Sequence, residues 1–158
     1  AEVGREIALG PGGGEIAGIE VAVGTAPRTK GHMDVEPEIR LAVEVNRAAH
    51  LACYSQDETG AVARFFPNRF AADSQVQPGA ALQIPGRMPF KLVANRKGQK
   101  ERILCVASPR DLLGDLPSRV VGSDFDRLPV QSLEEVARAF ESVANAPVSS
   151  RLVDVQVR

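Results

Sequence analysis

The chain contains no tryptophan, one tyrosine and two histidines among its 158 residues, and each scarcity argues against a class of function. Sugar sites usually present broad aromatic rings flat to the ligand. With no tryptophan and Tyr54 alone, glycan binding stays the alternative rather than the leading expectation. Metalloprotease chemistry needs two histidines one helical turn apart. Here His32 lies in a polar connector and His50 on the solvent phase of an apolar segment. Cys53 and Cys105 are too few for a structural zinc site, which takes four Cys or His ligands in close pairs. No apolar run approaches the roughly 20 residues that span a bilayer. A net charge of −1 provides no long-range field to gather the protein onto nucleic acid. Ala1 is not followed by a basic segment and apolar run, nor is it a lipid-modified cysteine. The chain is therefore expected to start after a removed targeting segment or at a domain boundary.

Catalytic constellations are missing too. There is no Gly-x-Ser-x-Gly elbow, only His32 and His50 could supply an imidazole, and no nucleophile-base pair is visible in the sequence. The glycines of "ALGPGGGE" lead into an alternating apolar segment rather than a Gly-Lys-Ser/Thr helix start, so they read as a flexible turn and not a phosphate cradle. Asp124 and Asp126 in "GSDFDRLP" lack the glycine and distal glutamate of a calcium loop and read as turn formers. The expectation is a non-enzymatic protein with no catalytic residues, no metal site and no cofactor; after glycan binding, an enzyme with an unrecognised site is the second alternative.

What is present is mainly β patterning. Ile39, Leu41, Val43 and Val45 alternate with Glu38, Arg40, Ala42 and Glu44, the period of a strand with one wet face. "HLACYS" and "AVARFF" flank the turn residues Gln56 to Gly60 and read as a hairpin. "ALQI", "FKLVAN" and "KERILCVAS" are further strands, the last two separated by a turn at Lys97-Gly98. In "SLEEVARAFESVAN" the apolar residues recur at helical spacing, and Ser132 with Glu135 forms a capping box. "SPRDLLGDLP" offers a shorter helical turn capped by Ser108. These elements predict a β-sandwich or partly open barrel of about seven or eight strands with one amphipathic C-terminal helix packed on it. Residues 1–36 read as an extension with one strand and a Gly/Pro-rich linker. Residues 37–158 read as a single β-rich domain, with its helix over 132–145 and a final strand over 151–157.

Cys53 and Cys105 share the inward phase of Leu51 and Ile103, so both thiols face one core. If their strands are neighbours a disulfide can form, and closing that loop would contribute on the order of 4 kcal/mol. Two buried thiols are the other outcome. Three of the six phenylalanines fall within residues 65–70 in "RFFPNRF". Phe66 ends a strand in phase with Val62, and Pro67-Asn68 turns the chain. Core packing at one end of the sandwich is one use of these rings. The other is a protein-binding anchor formed by Arg64, Phe65, Arg69 and Phe70, because aromatic and arginine side chains dominate interface energies. Arg96, Lys97, Lys100 and Arg102 gather at the tip of the hairpin that "FKLVAN" and "KERILCVAS" would form, either as a solvated turn or as a contact for an anionic surface.

The ordered series "LAVEVNRAAHLACYSQDETGAVARFFPNRF", "VQPGAALQIPG" and "FKLVANRKGQKERILCVAS" resembles the domain of unknown function 4384 family (DUF4384) over roughly residues 38–108. The resemblance implies a β-rich, non-catalytic module of bacterial envelope lipoproteins and exported proteins. It further implies a periplasmic or outer-membrane-associated location, an envelope or secretion-system protein as partner, and membrane association only through a lipid anchor or a longer parent chain. An oxidising envelope setting agrees with a disulfide.

Overall fold

A computed structural model describes residues 2–8, 18–30, 33–93, 100–144 and 148–156. The fold is mainly β, with two antiparallel five-stranded sheets packed face to face and one long helix near the C-terminus. The first sheet contains β1 (Glu2–Ala8), β2 (Ile19–Lys30), β3 (Met33–Val45) and β7 (Leu82–Ile84) in that order, with the two-residue β8 (Leu92–Val93) also on β3. The second runs β10 (Ser149–Gln156), β9 (Lys100–Ser108), β4 (Ala49–Gln56) and β5 (Val62–Phe66), with the two-residue β6 (Gln75–Val76) also on β4.

The patterning explains why the layers stack as they do. In β2 and β3 alternate residues, among them Val21, Val23, Leu41 and Val43, are buried between the sheets, while Arg40 and Glu44 face solvent. β4 and β9 differ because they are apolar in both phases. Leu51, Cys53, Ile103 and Cys105 fill the space between the sheets, whereas Ala52, Tyr54, Leu104 and Val106 form a second core on the opposite face. That face is covered by α2 (Leu133–Val143) and the segment preceding it, giving a sheet, sheet, helix order of layers. Leu133, Val136 and Phe140 point inward, and the Phe140 ring meets Tyr54 edge-on at 6.1 Å. Ser132 accepts the Glu135 amide at 3.2 Å, while the Glu135 carboxylate accepts the Gln131 amide at 3.1 Å.

In the register of β4 with β9, Cys53 lies directly opposite Cys105, their Cα atoms 4.2 Å apart, and the two are joined by a disulfide. The Gln56–Gly60 turn forms as expected. Asp57 Oδ1 accepts from the amides of Thr59 and Ala61 and from the Thr59 hydroxyl, and Gly60 supplies the positive φ of 92° that closes the hairpin.

Four expectations change. First, "FKLVAN" and "KERILCVAS" do not form a hairpin: β8 pairs with β3 in one sheet and β9 with β4 and β10 in the other, so the link between them changes sheets. The reason lies in burial, since β9 is buried on both faces and takes a central place that the short β8 cannot share. Second, the polar connector beyond Val23 continues as strand, with β2 and β3 paired from Ile19 with Val45 to Lys30 with Met33. The described part of residues 1–36 thus holds two strands and the start of a third, where the pattern suggested one strand and a linker. Third, Ser108 ends β9 and donates its hydroxyl to the Arg110 carbonyl rather than capping a helix. The helical residues come later, as a 3-10 turn at Leu113–Asp115 and a short α1 (Ser118–Val121). Fourth, Phe66 does not share a phase with Val62. The register shifts between Cys53, opposite Phe66, and Tyr54, opposite Arg64, so Phe65 is an inserted bulge residue. Val62 consequently packs under the helix, while Phe65 and Phe66 both enter the core between the sheets.

Candidate functional site

The bulge in β5 sets up the corner where, among the described residues, a large apolar side chain reaches solvent. Immediately after Phe66, buried Asn68 organises a tight loop. Its Nδ2 donates to the Phe65 carbonyl at 2.7 Å, and its Oδ1 accepts the amides of Phe70 at 2.8 Å and Ala71 at 3.0 Å. An asparagine can satisfy both sides of such a turn because one side chain carries donor and acceptor. The result is that Arg69 and Phe70 project from the tip.

Arg69 is held on Asp124 by three hydrogen bonds: its own amide at 2.6 Å to Oδ2, Nε at 3.2 Å to Oδ2, and a terminal nitrogen at 2.9 Å to Oδ1. The hydrogen bond from Arg69 holds the Asp124 carboxyl below the usual aspartate range, and the same bond raises the Arg69 guanidinium. The Arg69 guanidinium also sits 5.6 Å from the ring centre of Phe125. Phe125 has a φ of 67°, a left-handed conformation costly for a large side chain. It is kept there by its amide, which donates to the Arg64 carbonyl at 2.8 Å, and by the neighbouring bridge between Ala63 and Arg127.

Phe70, Phe90 and Phe125 come from three separate segments and meet at this corner. Phe70 and Phe90 stack nearly parallel at 12° with centroids 6.3 Å apart, and Phe90 and Phe125 lie 4.8 Å apart. Phe70 remains 45% exposed and is the one large hydrophobic side chain classed as exposed among the described residues. From Phe90 the apolar surface continues into a groove of about 580 Å³. It is lined by Ile84 at the end of β7, by Pro85, Met88 and Pro89 of the loop that follows, and by the outward side chains Glu38 and Arg40 of β3. This loop turns at Gly86, whose φ is +53° and where a Cβ would lie 2.7 Å from the Gln83 carbonyl oxygen. A side chain there would displace the wall.

The four residues expected to form an anchor therefore divide. Arg69 and Phe70 are exposed, and Phe70 joins the groove through its stack on Phe90. Phe65 is 2% exposed and is core, because the bulge turns it inward. Arg64 is half-buried and clasps carbonyl groups, donating to Val121 at 3.2 Å, Gly122 at 3.5 Å and Pro67. The basic cluster divides as well. Arg96 and Lys97 lie outside the described residues, as does the Lys100 side chain. Arg102 faces the helix, donating to Gln56 at 3.1 Å and pairing with Glu134 and Asp154. Phe90 and Phe125 escaped the sequence reading. Their contacts with Phe70 span 20 and 55 residues, which no local pattern encodes, although Phe125 stood beside the Asp124 already singled out.

Other candidate groups have structural partners. His50 Nδ1 lies 2.8 Å from Ser74 Oγ, but Ser74 is buried and the space these two share with Ser108 and Asp111 is about 10 Å³, smaller than any substrate. His32 lies outside the described residues. Tyr54 is fully buried and donates its hydroxyl to the Val120 carbonyl at 3.1 Å, so it offers no face to a sugar; burial raises its phenol pKa. Among the described residues no group of three His, Cys, Asp or Glu side chains could hold a metal ion, and no helix is long and apolar enough to cross a membrane.

No curated protein and no solved structure matches the chain. A family model does, from the start of β3 past the end of β9, a span that contains the β5 bulge, the Asn68 loop, Phe70 and Phe90 but stops short of Asp124 and Phe125. With half its length matched, at residues 33–111, the chain belongs to the family described as Domain of unknown function (DUF4384).

Proposed function

We propose that the protein is a non-enzymatic binding module of the bacterial cell envelope, periplasmic or outer-membrane-associated, that recognises another envelope or secretion-system protein through the Phe70 corner. The observation that carries this reading is the exposure of Phe70, stacked on Phe90 beside an apolar groove and flanked by Arg69. Aromatic and arginine side chains next to a preformed pocket are the usual anchors of protein interfaces. The Cys53–Cys105 disulfide supports an exported setting, since such bonds persist in oxidising compartments.

A photo-crosslinking phenylalanine analogue at position 70 tests the proposal in living cells. The expected result is a discrete protein adduct from position 70 and none from an exposed control position such as Arg138 on α2. Equal crosslinking from both positions, or none from position 70, would overturn it.

A further inference from the structure

The groove beside Phe90 has a chemistry that narrows the partner. Its floor is apolar, with Ile84, Pro85, Met88, Pro89 and Phe90. Its rim is cationic. Glu38 bridges Arg40 at 3.4 Å and Lys91 at 3.5 Å, so one carboxylate whose side chain is 19% exposed is shared by two cations that are 66% and 60% exposed. Arg87, in the loop between Gly86 and Met88, is exposed and makes no ion pair among the described residues. The Arg69–Asp124 pair on the far side of Phe70 is internally neutral. Among the described residues Arg40 and Lys91 line the groove with Glu38 as their shared carboxylate, and Arg87 stands in the loop beside it.

We infer that this groove takes an extended acidic segment of a partner protein, with an apolar side chain seated on Phe90 and Phe70 and neighbouring carboxylates met by Arg40, Lys91 and Arg87. The inference rests on the protein-binding reading and specifies its partner. A chain segment fits better than a compact molecule because the apolar surface runs from the groove across Phe90 to Phe70, whose ring centre is another 6.3 Å away. Extended chain advances roughly 3.3–3.6 Å per residue, so covering both the groove and Phe70 takes several residues. Charge complementarity then sets the sign, since exposed cations around an apolar floor attract carboxylates and repel basic segments.

The test is selection from a random dodecapeptide display library on the full chain, followed by fluorescence anisotropy with the enriched peptides. Enrichment of Asp and Glu around one apolar residue is expected. Binding should weaken at high salt and fall at least roughly tenfold in Arg40→Glu and in Lys91→Glu. Both substitutions lie on exposed side chains, and unchanged thermal melting would show that the fold is intact. Peptides that need Phe70 and Phe90 but show no acidic bias and ignore both charge reversals would overturn the inference while leaving the protein-binding reading in place. No enrichment, or peptides that bind Phe70→Ala and Phe90→Ala as well as the parent chain, would overturn both. Binding to anionic phospholipid vesicles in place of peptides would also overturn both.

Discussion

Replacing Phe65 or Phe66 with alanine tests the bulge that creates the corner. Strict alternation along β5 would send one of these two rings out of the core between the sheets. The inserted residue instead buries both, each to 2% exposure in that core. Removing a fully buried phenylalanine ring costs about 3–5 kcal/mol through lost transfer energy and the cavity left behind. For a chain of this size, where 1 kcal/mol shifts the midpoint by roughly 2–4 °C, each variant should melt some 6–20 °C lower. Phe70→Ala removes a ring already 45% exposed, stacked on Phe90 and tilted against Phe125. Its effect should stay near about 1 kcal/mol, in the range of surface aromatic pairs. Thermal unfolding followed by circular dichroism, with urea midpoints compared at constant slope, separates these cases. A Phe65→Ala variant that melts with the parent chain would show that Phe65 faces outward and that the bulge is absent. A Phe70→Ala variant as unstable as Phe66→Ala would make the corner wholly structural.

Three further outcomes are expected. Reducing the disulfide, or replacing Cys53 and Cys105 with alanine, should remove about 4 kcal/mol. That is the loop-closure value for a separation of 52 residues, measured as the difference between urea unfolding with and without reductant, and an unchanged midpoint would contradict it. Tyr54→Phe deletes the hydroxyl that satisfies the Val120 carbonyl and should cost about 1 kcal/mol by denaturant titration, with no change in the β-sheet spectrum. Asp124 and Glu134 are held low chiefly by hydrogen bonds from Arg69 and Arg102. Burial opposes the lowering at Asp57, and the Thr59 and Ala61 hydrogen bonds override it. The stabilisation from these carboxylates is present above their ordinary values of 3.8 for aspartate and 4.5 for glutamate, and is lost as pH falls below them. A melting profile flat from neutral pH to well below those values would refute the assignment.

The parts of the fold legible in the sequence are those with local causes. β3 shows its wet and dry faces in four alternating pairs, α2 announces itself by spacing and its Ser132 cap, and the shared inward phase of Cys53 and Cys105 anticipates the bond between them. The departures have non-local causes. A lysine-glycine pair between two apolar runs has the local form of a hairpin, and only the demand for cover on both faces of β9 moves it to the other sheet from β8. That demand is visible in retrospect, because β9 alternates between two kinds of apolar residue where β3 alternates between apolar and charged. The bulge at Phe65 has no such trace. Two adjacent phenylalanines fit a strand end equally well with or without it, and the difference decides which ring belongs to the core and whether Val62 and Phe66 share a side. Phe70 was identifiable because it follows a Pro-Asn turn. Phe90 and Phe125 required the tertiary structure.

The corner draws on both halves of the chain, and this makes Phe125 the sharpest probe of it. The family match supplies Phe70, Phe90 and the groove, but the ring that backs Phe90 at 4.8 Å and the carboxylate that fixes Arg69 lie beyond residue 111. If Phe70 is presented by this assembly rather than by its own loop alone, deleting the Phe125 ring should impair binding although Phe70 itself is untouched. Glycine is the informative substitution. At a φ of 67° it relieves a backbone conformation that costs an L-residue roughly 1–2 kcal/mol, offsetting part of the lost ring contact. Stability of Phe125→Gly should therefore stay within about 1 kcal/mol of the parent chain. Crosslinking from the position-70 probe should nevertheless fall several-fold, because Phe90 loses its backing and Arg69 the ring beneath its guanidinium. Undiminished crosslinking in a stably folded Phe125→Gly variant would show that the Asn68 loop alone presents Phe70, and that the segment after residue 111 takes no part in recognition.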